Sequence, residues 1–171
     1  MRPQHAQTGL MLSRLPAPVH RLALHVAHGL RLRLWRLMRM QVRGTNALVF
    51  DPAGRLLLVR HSYHAQDQWL LPGGGLGRGE DPAQTAVREV REETGCELID
   101  TVWFESVVHR HPTGWTNRIE LIAGTTVDTP QADGRELVEA RFFPLDTLPL
   151  ATNRSVTQAL TLWQKHESSK R

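Results

Sequence analysis

Cysteine is almost absent from the sequence: Cys96 is the only one among 171 residues. A single cysteine excludes an internal disulfide bond and a zinc site built from several thiolates. Long apolar runs are also absent, so no segment approaches the roughly 20 residues that span a membrane as a helix. Arginines and histidines interrupt every apolar segment before residue 40, and a secretory signal therefore fits poorly. From these absences we expect a cytoplasmic protein.

Acidic residues are missing from the first 50 positions, which contain eight arginines and no aspartate or glutamate. This segment has a charge of +8, and because the whole chain has a formal net charge of +4, the remainder is at −4. The body of the protein is therefore mildly acidic. Any prediction of nucleic-acid or membrane binding from charge applies to the N-terminal segment alone.

We interpret residues 1–42 as a basic amphipathic N-terminal arm. Between Pro18 and about Met40, apolar residues recur at helical spacing. They are Val19, Leu22, Ala23, Val26, Leu30, Leu34 and Leu37. This stripe suits packing on the following domain or on a second copy in a homodimer. Contact with nucleic acid or an anionic membrane, and an organelle transit peptide, are the alternatives.

After residue 42 the pattern changes to strands. Apolar runs bounded by turn residues predict strands at five places, namely 45–50, 55–60, 101–110, 118–127 and 136–145. Helical spacing predicts one helix from Pro82 to Thr94 and another from about Asn153 to Lys165. Because helices and strands do not alternate regularly, we predict an α+β fold over residues 43–171, with a mixed β-sheet between α-helices.

The helix that begins at Pro82 has clear start and stop signals. Asp81 is the expected N-cap, Pro82 occupies the first helical position, and Gln84 completes a capping box. Gly95 is the expected C-terminal stop. The stripe expected to face the core consists of Ala83, Val87, Val90 and Thr94.

Three glutamates near the end of this helix oppose its stability. Glu89, Glu92 and Glu93 share one face, and like charges at this spacing cost roughly 0.2–0.5 kcal/mol per pair. Glu92 and Glu93 also lie in the last turn, where the helix dipole disfavours negative charge. A divalent cation would relieve the repulsion, and carboxylates are suitable ligands for Mg²⁺ or Mn²⁺. The alternative is a solvated acidic helix face.

Five glycines within residues 73–79 precede the helix. Without Cβ atoms, they allow the backbone to approach a metal or a phosphate closely. The segment lacks the Gly-Lys-Ser/Thr of a Walker loop and the Gly-x-Gly-x-x-Gly of a dinucleotide fold. Neither of those two classes of nucleotide-binding loop is therefore supported.

Taken together, the glycine loop and the helix resemble the signature of the Nudix hydrolases. That signature reads Gly, five residues, Glu, seven residues, Arg-Glu, an apolar residue, any residue, Glu-Glu, any residue, Gly and an apolar residue. The fixed positions are occupied by Gly74, Glu80, Arg88, Glu89, Glu92, Glu93 and Gly95. Cys96 stands where an aliphatic residue is usual. The resemblance extends over residues 43–165.

The resemblance implies metal-dependent hydrolysis with Mg²⁺ or Mn²⁺ as the cofactor. It implies that Glu89, Glu92 and Glu93 are metal ligands, with one of them helping as a base. The Gly74 carbonyl is a further candidate ligand. Arg88 would orient the carboxylates, and Glu80 would support the loop.

Residues outside the signature are expected to complete the site. Many members of the family add a catalytic carboxylate from a later segment, and the candidates are Glu136 and Glu139, with Glu120 as a third. Each of them is otherwise a surface acid on a strand. The candidate contacts to the substrate are Arg43, Trp69 and Trp115, although aromatic residues in strands are also common in cores.

The expected substrate is a nucleoside diphosphate linked to another group, with ADP-ribose or a nucleotide sugar favoured. A nucleoside triphosphate pyrophosphatase that clears damaged nucleotides is one alternative. A non-catalytic module that binds nucleotides is another, although such modules often lose the glutamates that this sequence retains.

Overall fold

The computed structural model describes residues 41–62, 68–110, 116–132 and 136–170, which form six strands and two helices. The strands are β1 (Gln41–Phe50), β2 (Leu56–His61), β3 (Gly73–Gly75), β4 (Ile99–Arg110), β5 (Thr116–Thr125) and β6 (Leu137–Phe143). The helices are α1 (Pro82–Thr94) and α2 (Arg154–Ser168).

Strand β1 is at the centre of a mixed sheet with the order β4-β5-β1-β2-β6. It runs parallel to β5 along its whole length, whereas the pairs β1–β2, β1–β3, β2–β6 and β4–β5 are antiparallel. The short strand β3 pairs with residues 44–46 of β1, and β2 meets β1 at Phe50. The predicted mixed sheet is therefore confirmed.

A separate core lies on each face of this sheet, because successive side chains of a strand point to opposite faces. The core on the α2 face includes Leu48, Leu56, Leu58, Val156, Ala159 and Leu160. The core on the α1 face includes Ala47, Val49, Leu57, Ile122, Ala86 and Val90. Burial of each large aliphatic side chain contributes about 1.5–3 kcal/mol, so burial is the main interaction that holds both helices against the sheet.

Helix α1 begins and ends at the predicted residues. The Asp81 side chain accepts a hydrogen bond from the backbone N–H of Gln84 at 2.9 Å, and Gly95 ends the helix in the left-handed region with φ of 72°. Its apolar face is wider than predicted. The buried residues are Thr85, Ala86, Val90 and Thr94, while Ala83 and Val87 are partly buried.

Two features differ from the prediction. Strand β3 is not predicted from the sequence, because a run of three glycines has a low intrinsic preference for strands. Its extended conformation results from its pairing with β1. Strand β1 begins at Gln41, two residues before the predicted boundary of the domain. The helix predicted from Pro18 to about Met40 lies outside the described residues. Within the described ranges, no helix is long and apolar enough to cross a membrane.

Candidate active site

The three glutamates of α1 have different environments. Glu89 and Glu93 turn toward β3, and their side chains are 15% and 13% exposed, whereas Glu92 is 60% exposed. Together with Glu136 and Leu137 they line a cleft of about 250 Å³. Two of the three carboxylates are therefore largely removed from water, which is not what a solvated acidic face would show.

Glu93 is the most constrained of these side chains. One of its oxygens accepts a hydrogen bond from the N–H of Gly73 at 3.1 Å, and the other lies 3.8 Å from Nε2 of His61. Burial raises the pKa of Glu93 to about 8, the Gly73 N–H opposes the shift, and the charges of Glu89 and Glu136 add to it. At neutral pH Glu93 is therefore mainly protonated, and its ionisation there requires a cation that offsets the burial and the neighbouring charges.

Arg88 connects the other carboxylates of the helix. Its guanidinium lies 2.8 Å from Glu89, 3.3 Å from Glu92 and 3.9 Å from Glu80. Burial nevertheless raises the pKa of Glu89, despite the opposing charge of Arg88. Arg88 thus contacts both Glu89 and Glu92, which lies one turn further along the helix.

Glu80 supports the glycine loop. Its carboxylate accepts hydrogen bonds from the N–H of Gly77 at 2.9 Å and from the hydroxyl of Thr85 at 3.2 Å. The first of these bonds lowers the pKa of Glu80, as do the Thr85 hydroxyl and the charge of Arg88. Glu80 is therefore ionised, and its hydrogen bonds link the glycine loop to the first turn of α1.

The absence of a side chain at Gly74 makes room for Glu89. A Cβ at this position would lie 2.3 Å from the carboxylate carbon of Glu89. Gly75 differs, because a Cβ there would meet nothing within 4 Å. The role of the Gly74 carbonyl as a metal ligand stays a prediction.

The structure separates the three candidates for an additional carboxylate. Glu136 lines the cleft with the helix glutamates. Glu139 does not, because it pairs with Arg60 at 3.0 Å, and the Arg60 guanidinium lies over the Trp69 ring of the core on the α2 face. The alternating position of Glu139 on β6 directs its side chain to the opposite face, and its catalytic role stays a prediction.

Glu120 is also occupied by structural partners. It accepts hydrogen bonds from Nε1 of Trp103 at 3.0 Å and from Nε of Arg118 at 2.8 Å, and Arg43 lies 3.6 Å away. Burial alone would raise the pKa of Glu120, but these hydrogen bonds and the charge of Arg118 lower it overall. Its charge is therefore balanced by Arg118 and Arg43, and it is not among the residues that line the cleft.

The three residues predicted to contact the substrate lie in different environments. Trp69 is only 7% exposed and packs edge-to-face on Phe143 in the core, which leaves little of its ring available to a base, and its contact with the substrate stays a prediction. Arg43 is half exposed, and its role stays a prediction. Trp115 lies outside the described residues. His61 belongs to no recognisable sequence motif. It contacts Glu93 because β2 ends beside α1.

The donor atoms of the cleft fit a hard divalent cation. They are carboxylate oxygens, which Mg²⁺ and Mn²⁺ prefer, and the raised pKa of Glu93 reflects a charge that such a cation would offset. In the described part of the chain, no three His, Cys, Asp or Glu side chains converge tightly enough to form a complete site. The carboxylates of Glu89 and Glu92 are held by Arg88, whereas the carboxylate of Glu93 is held by the N–H of Gly73. These different partners keep the three carboxylates apart.

Comparison with known proteins identifies the family. A family model described as NUDIX domain matches residues 40–164. Since this is more than half of the chain, the protein belongs to the NUDIX family. The fold is similar to that of a MutT NUDIX hydrolase from Burkholderia pseudomallei, with a TM-score of 0.64 and 23% identity, covering 72% of this chain and 98% of that one. The predicted Nudix-type fold is thereby confirmed.

Two curated relatives are more similar in sequence. The chain is 32% identical over 113 residues to "Putative ADP-ribose pyrophosphatase YjhB" of Bacillus subtilis, covering 63% of this chain and 53% of that protein. It is 29% identical over 106 residues to the NAD-capped RNA hydrolase NudC of Vibrio vulnificus, covering 61% of this chain and 40% of that protein. The chain thus spans about half the length, or less, of these two relatives.

Substitution of Gly74 by alanine tests the close approach of Glu89. We expect Gly74→Ala to fold but to displace the Glu89 carboxylate, and to weaken Mg²⁺ binding roughly tenfold or more. Gly75→Ala is the matched control, because its Cβ enters open space. Calorimetric titration with Mg²⁺ measures both variants. Equal affinities in the two would contradict the role of this gap.

Metal binding should stabilise the fold through the carboxylates. A cation that binds only the native state adds RT ln(1 + [L]/Kd) to the stability, so Mg²⁺ or Mn²⁺ should raise the Tm. The rise should vanish in a Glu89→Gln, Glu93→Gln double variant. Glu97→Gln, at an exposed position just beyond α1, should respond like the wild type. An undiminished rise in the double variant would indicate a metal site elsewhere.

The ionised state of Glu120 should contribute to stability in a pH-dependent way. Its pKa is lowered in the folded protein, so the contribution is present above the unfolded value of about 4.3 and is lost as the pH falls through the folded value. We expect Glu120→Gln to lower the free energy of unfolding by about 1–2 kcal/mol at neutral pH. The difference from wild type in urea denaturation should shrink progressively as the pH falls below about 4.3. A difference independent of pH would refute this.

Proposed function

We propose that this protein is a metal-dependent pyrophosphohydrolase that cleaves the pyrophosphate bond of a nucleoside diphosphate linked to another group. The observation that carries the proposal is the cleft in which Glu89 and Glu93 are largely buried beside Glu92 and Glu136. Burying like charges together has a cost in free energy. A site that binds a divalent cation and a polyanionic substrate accounts for that cost.

The residues that would hold the cation are Glu89, Glu92 and Glu93, with the Gly74 carbonyl as a further candidate. When bound, Mg²⁺ or Mn²⁺ stabilises charge on the phosphate oxygens and lowers the pKa of water, which makes water a nucleophile. Arg88 fixes the orientation of Glu89 and Glu92 through its contacts with both. Glu80 holds the loop against the first turn of the helix.

Glu136 is the candidate for the general base. It faces the cleft from outside the helix, and a base must lie within hydrogen-bond reach of the water that it deprotonates. Its backbone is anchored because the carbonyl of Glu136 accepts a hydrogen bond from the N–H of Ser62 at 2.9 Å. One of the helix glutamates is the alternative base.

The favoured substrates are ADP-ribose and related nucleotide-sugar-like compounds. The name of the relative from Bacillus subtilis supports this class, since it is described as an ADP-ribose pyrophosphatase. The experiment is a panel of nucleoside diphosphate derivatives and nucleoside triphosphates, assayed with Mg²⁺ and with Mn²⁺, with the products identified. ADP-ribose should give AMP and ribose 5-phosphate. Cleavage of triphosphates alone would overturn the assignment.

Glutamine substitutions test the roles of the carboxylates. Glu92→Gln and Glu93→Gln should remain folded and should lower kcat by about 10²–10⁴-fold, because each removes charge that binds the cation. Glu136→Gln should also lower kcat, whereas Glu139→Gln, which lies within β6 and pairs with Arg60, should not. Circular dichroism checks that each variant is folded. Near-native turnover of folded Glu92→Gln and Glu93→Gln would mean that the metal site is elsewhere.

A further inference from the structure

A second polar cluster lies on the α1 face of the sheet, across β4, β5 and β1. Its centre is Glu120, whose side chain is 4% exposed, and its outer members are Arg43 at 46%, Arg118 at 53% and Trp103 at 51%. All three outer side chains contact the Glu120 carboxylate. Two positive charges surround one negative charge, so the cluster presents a net positive surface beside a half-exposed indole ring.

A β-bulge brings Trp103 into this cluster. The register between β4 and β5 shifts between Trp103 and Glu105, so that Trp103 lies opposite Ile122 and Ser106 lies opposite Glu120. The extra residue, Phe104, enters the core on the α2 face. Bulges redirect side chains and are frequent beside active sites. Without this one, Trp103 and Ser106 would point to opposite faces.

The cluster is adjacent to the carboxylate cleft through one row of the sheet. Thr45 of β1 pairs with Gly74 on one side and with Glu120 on the other. The Glu89 carboxylate occupies the space beside Gly74. Since neighbouring strands lie about 4.8 Å apart, Gly74 and Glu120 are separated by about 10 Å. A nucleotide with its phosphates at the carboxylates can therefore extend across this row.

Thr45 provides an independent sign of a ligand in this row. The residue is 1% exposed, and its hydroxyl has no hydrogen-bond partner in the part of the chain that the structure describes. A buried polar group without a partner costs about 1–3 kcal/mol. A bound molecule that reaches the hydroxyl would remove that cost.

We propose that Trp103, Arg43 and Arg118 form the nucleoside subsite of the site described above. The Trp103 ring stacks on the base, and the two guanidiniums contact the phosphate on the nucleoside side. The inference rests on the proposed function for the identity of the ligand as a nucleotide. An indole face offers stacking that every base can use, and guanidinium groups pair strongly with phosphate oxygens.

Glu120 acts as a positioning residue in this subsite. Its bond to Nε1 fixes the plane of the indole, and its bond to Nε of Arg118 holds the guanidinium beside that plane. Because its oxygens are engaged by these groups, Glu120 does not itself contact the ligand. Preorganised side chains lose less conformational entropy when a ligand binds.

Two phosphate monoesters test the subsite independently of hydrolysis. AMP and ribose 5-phosphate contain no pyrophosphate bond for the proposed activity to cleave, and they differ in the base. Trp103→Leu should weaken AMP roughly tenfold in calorimetric titration and should leave ribose 5-phosphate unchanged. Trp103→Phe, which keeps an aromatic face, should retain most of the affinity for AMP. Ile99→Ala, an exposed position at the start of the same strand, is the control and should bind both ligands like the wild type.

Arginine and glutamate variants separate phosphate contact from stacking. Arg118→Gln should weaken AMP and ribose 5-phosphate alike, by about tenfold, while Arg141→Gln on β6 should change neither. Glu120→Gln should weaken AMP more than ribose 5-phosphate, and it should raise the KM for ADP-ribose more than it lowers kcat. A purely structural role of Glu120 would instead lower kcat and both affinities together, which would overturn its assignment.

The outcomes distinguish this inference from the proposed function. If Trp103→Leu binds AMP like the wild type, or loses both ligands equally, the nucleoside subsite is refuted even where hydrolysis depends on Glu92. If AMP binding depends on Trp103 but no pyrophosphate bond is cleaved with either metal, the subsite stands and the proposed hydrolysis fails.

Discussion

The close approach of α1 to β3 is the constraint on which the candidate active site depends. The N–H of Gly73 binds Glu93, and the missing side chain at Gly74 leaves space for the carboxylate of Glu89. The pairing of β3 with residues 44–46 of β1 determines where these glycines lie. Strand β1 thus positions, through β3, two carboxylates of a helix that lies about 40 residues later in the sequence.

Helix α1 tolerates its repelling carboxylates because larger contributions offset them. Each like-charged pair costs roughly 0.2–0.5 kcal/mol, whereas an N-cap such as Asp81 contributes about 1 kcal/mol and the burial of Val90 about 1.5–3 kcal/mol. Arg88 further reduces the repulsion between Glu89 and Glu92. These contributions are sufficient for the helix to form without a cation. Cation binding therefore does not have to be coupled to folding of the helix.

The sequence predicted local features well and long-range features poorly. The bounds of α1 follow from Asp81, Pro82 and Gly95, whose effects extend over one turn, and these were predicted correctly. Strand β3 depends on its pairing with β1, which no local property of three glycines indicates. The burial of Trp69 and the contact of His61 with Glu93 likewise follow from tertiary packing. Among the later glutamates, Glu136 lines the cleft whereas Glu139 pairs with Arg60, a distinction that tertiary packing makes.

Two buried carboxylates on the α1 face illustrate how the fold distributes charge. Glu120 is neutralised by Arg118 and Arg43 and has a lowered pKa, so its charge is balanced within the chain. Glu93 has a backbone N–H and a nearby histidine but lies among like charges, and its pKa is raised to about 8. Burial opposes ionisation in both cases, and the difference lies in the partners. Among the described residues, arginines contact the first carboxylate, whereas the second is surrounded by the Gly73 N–H, a histidine and neighbouring acids. The second is therefore the one that an external cation would stabilise.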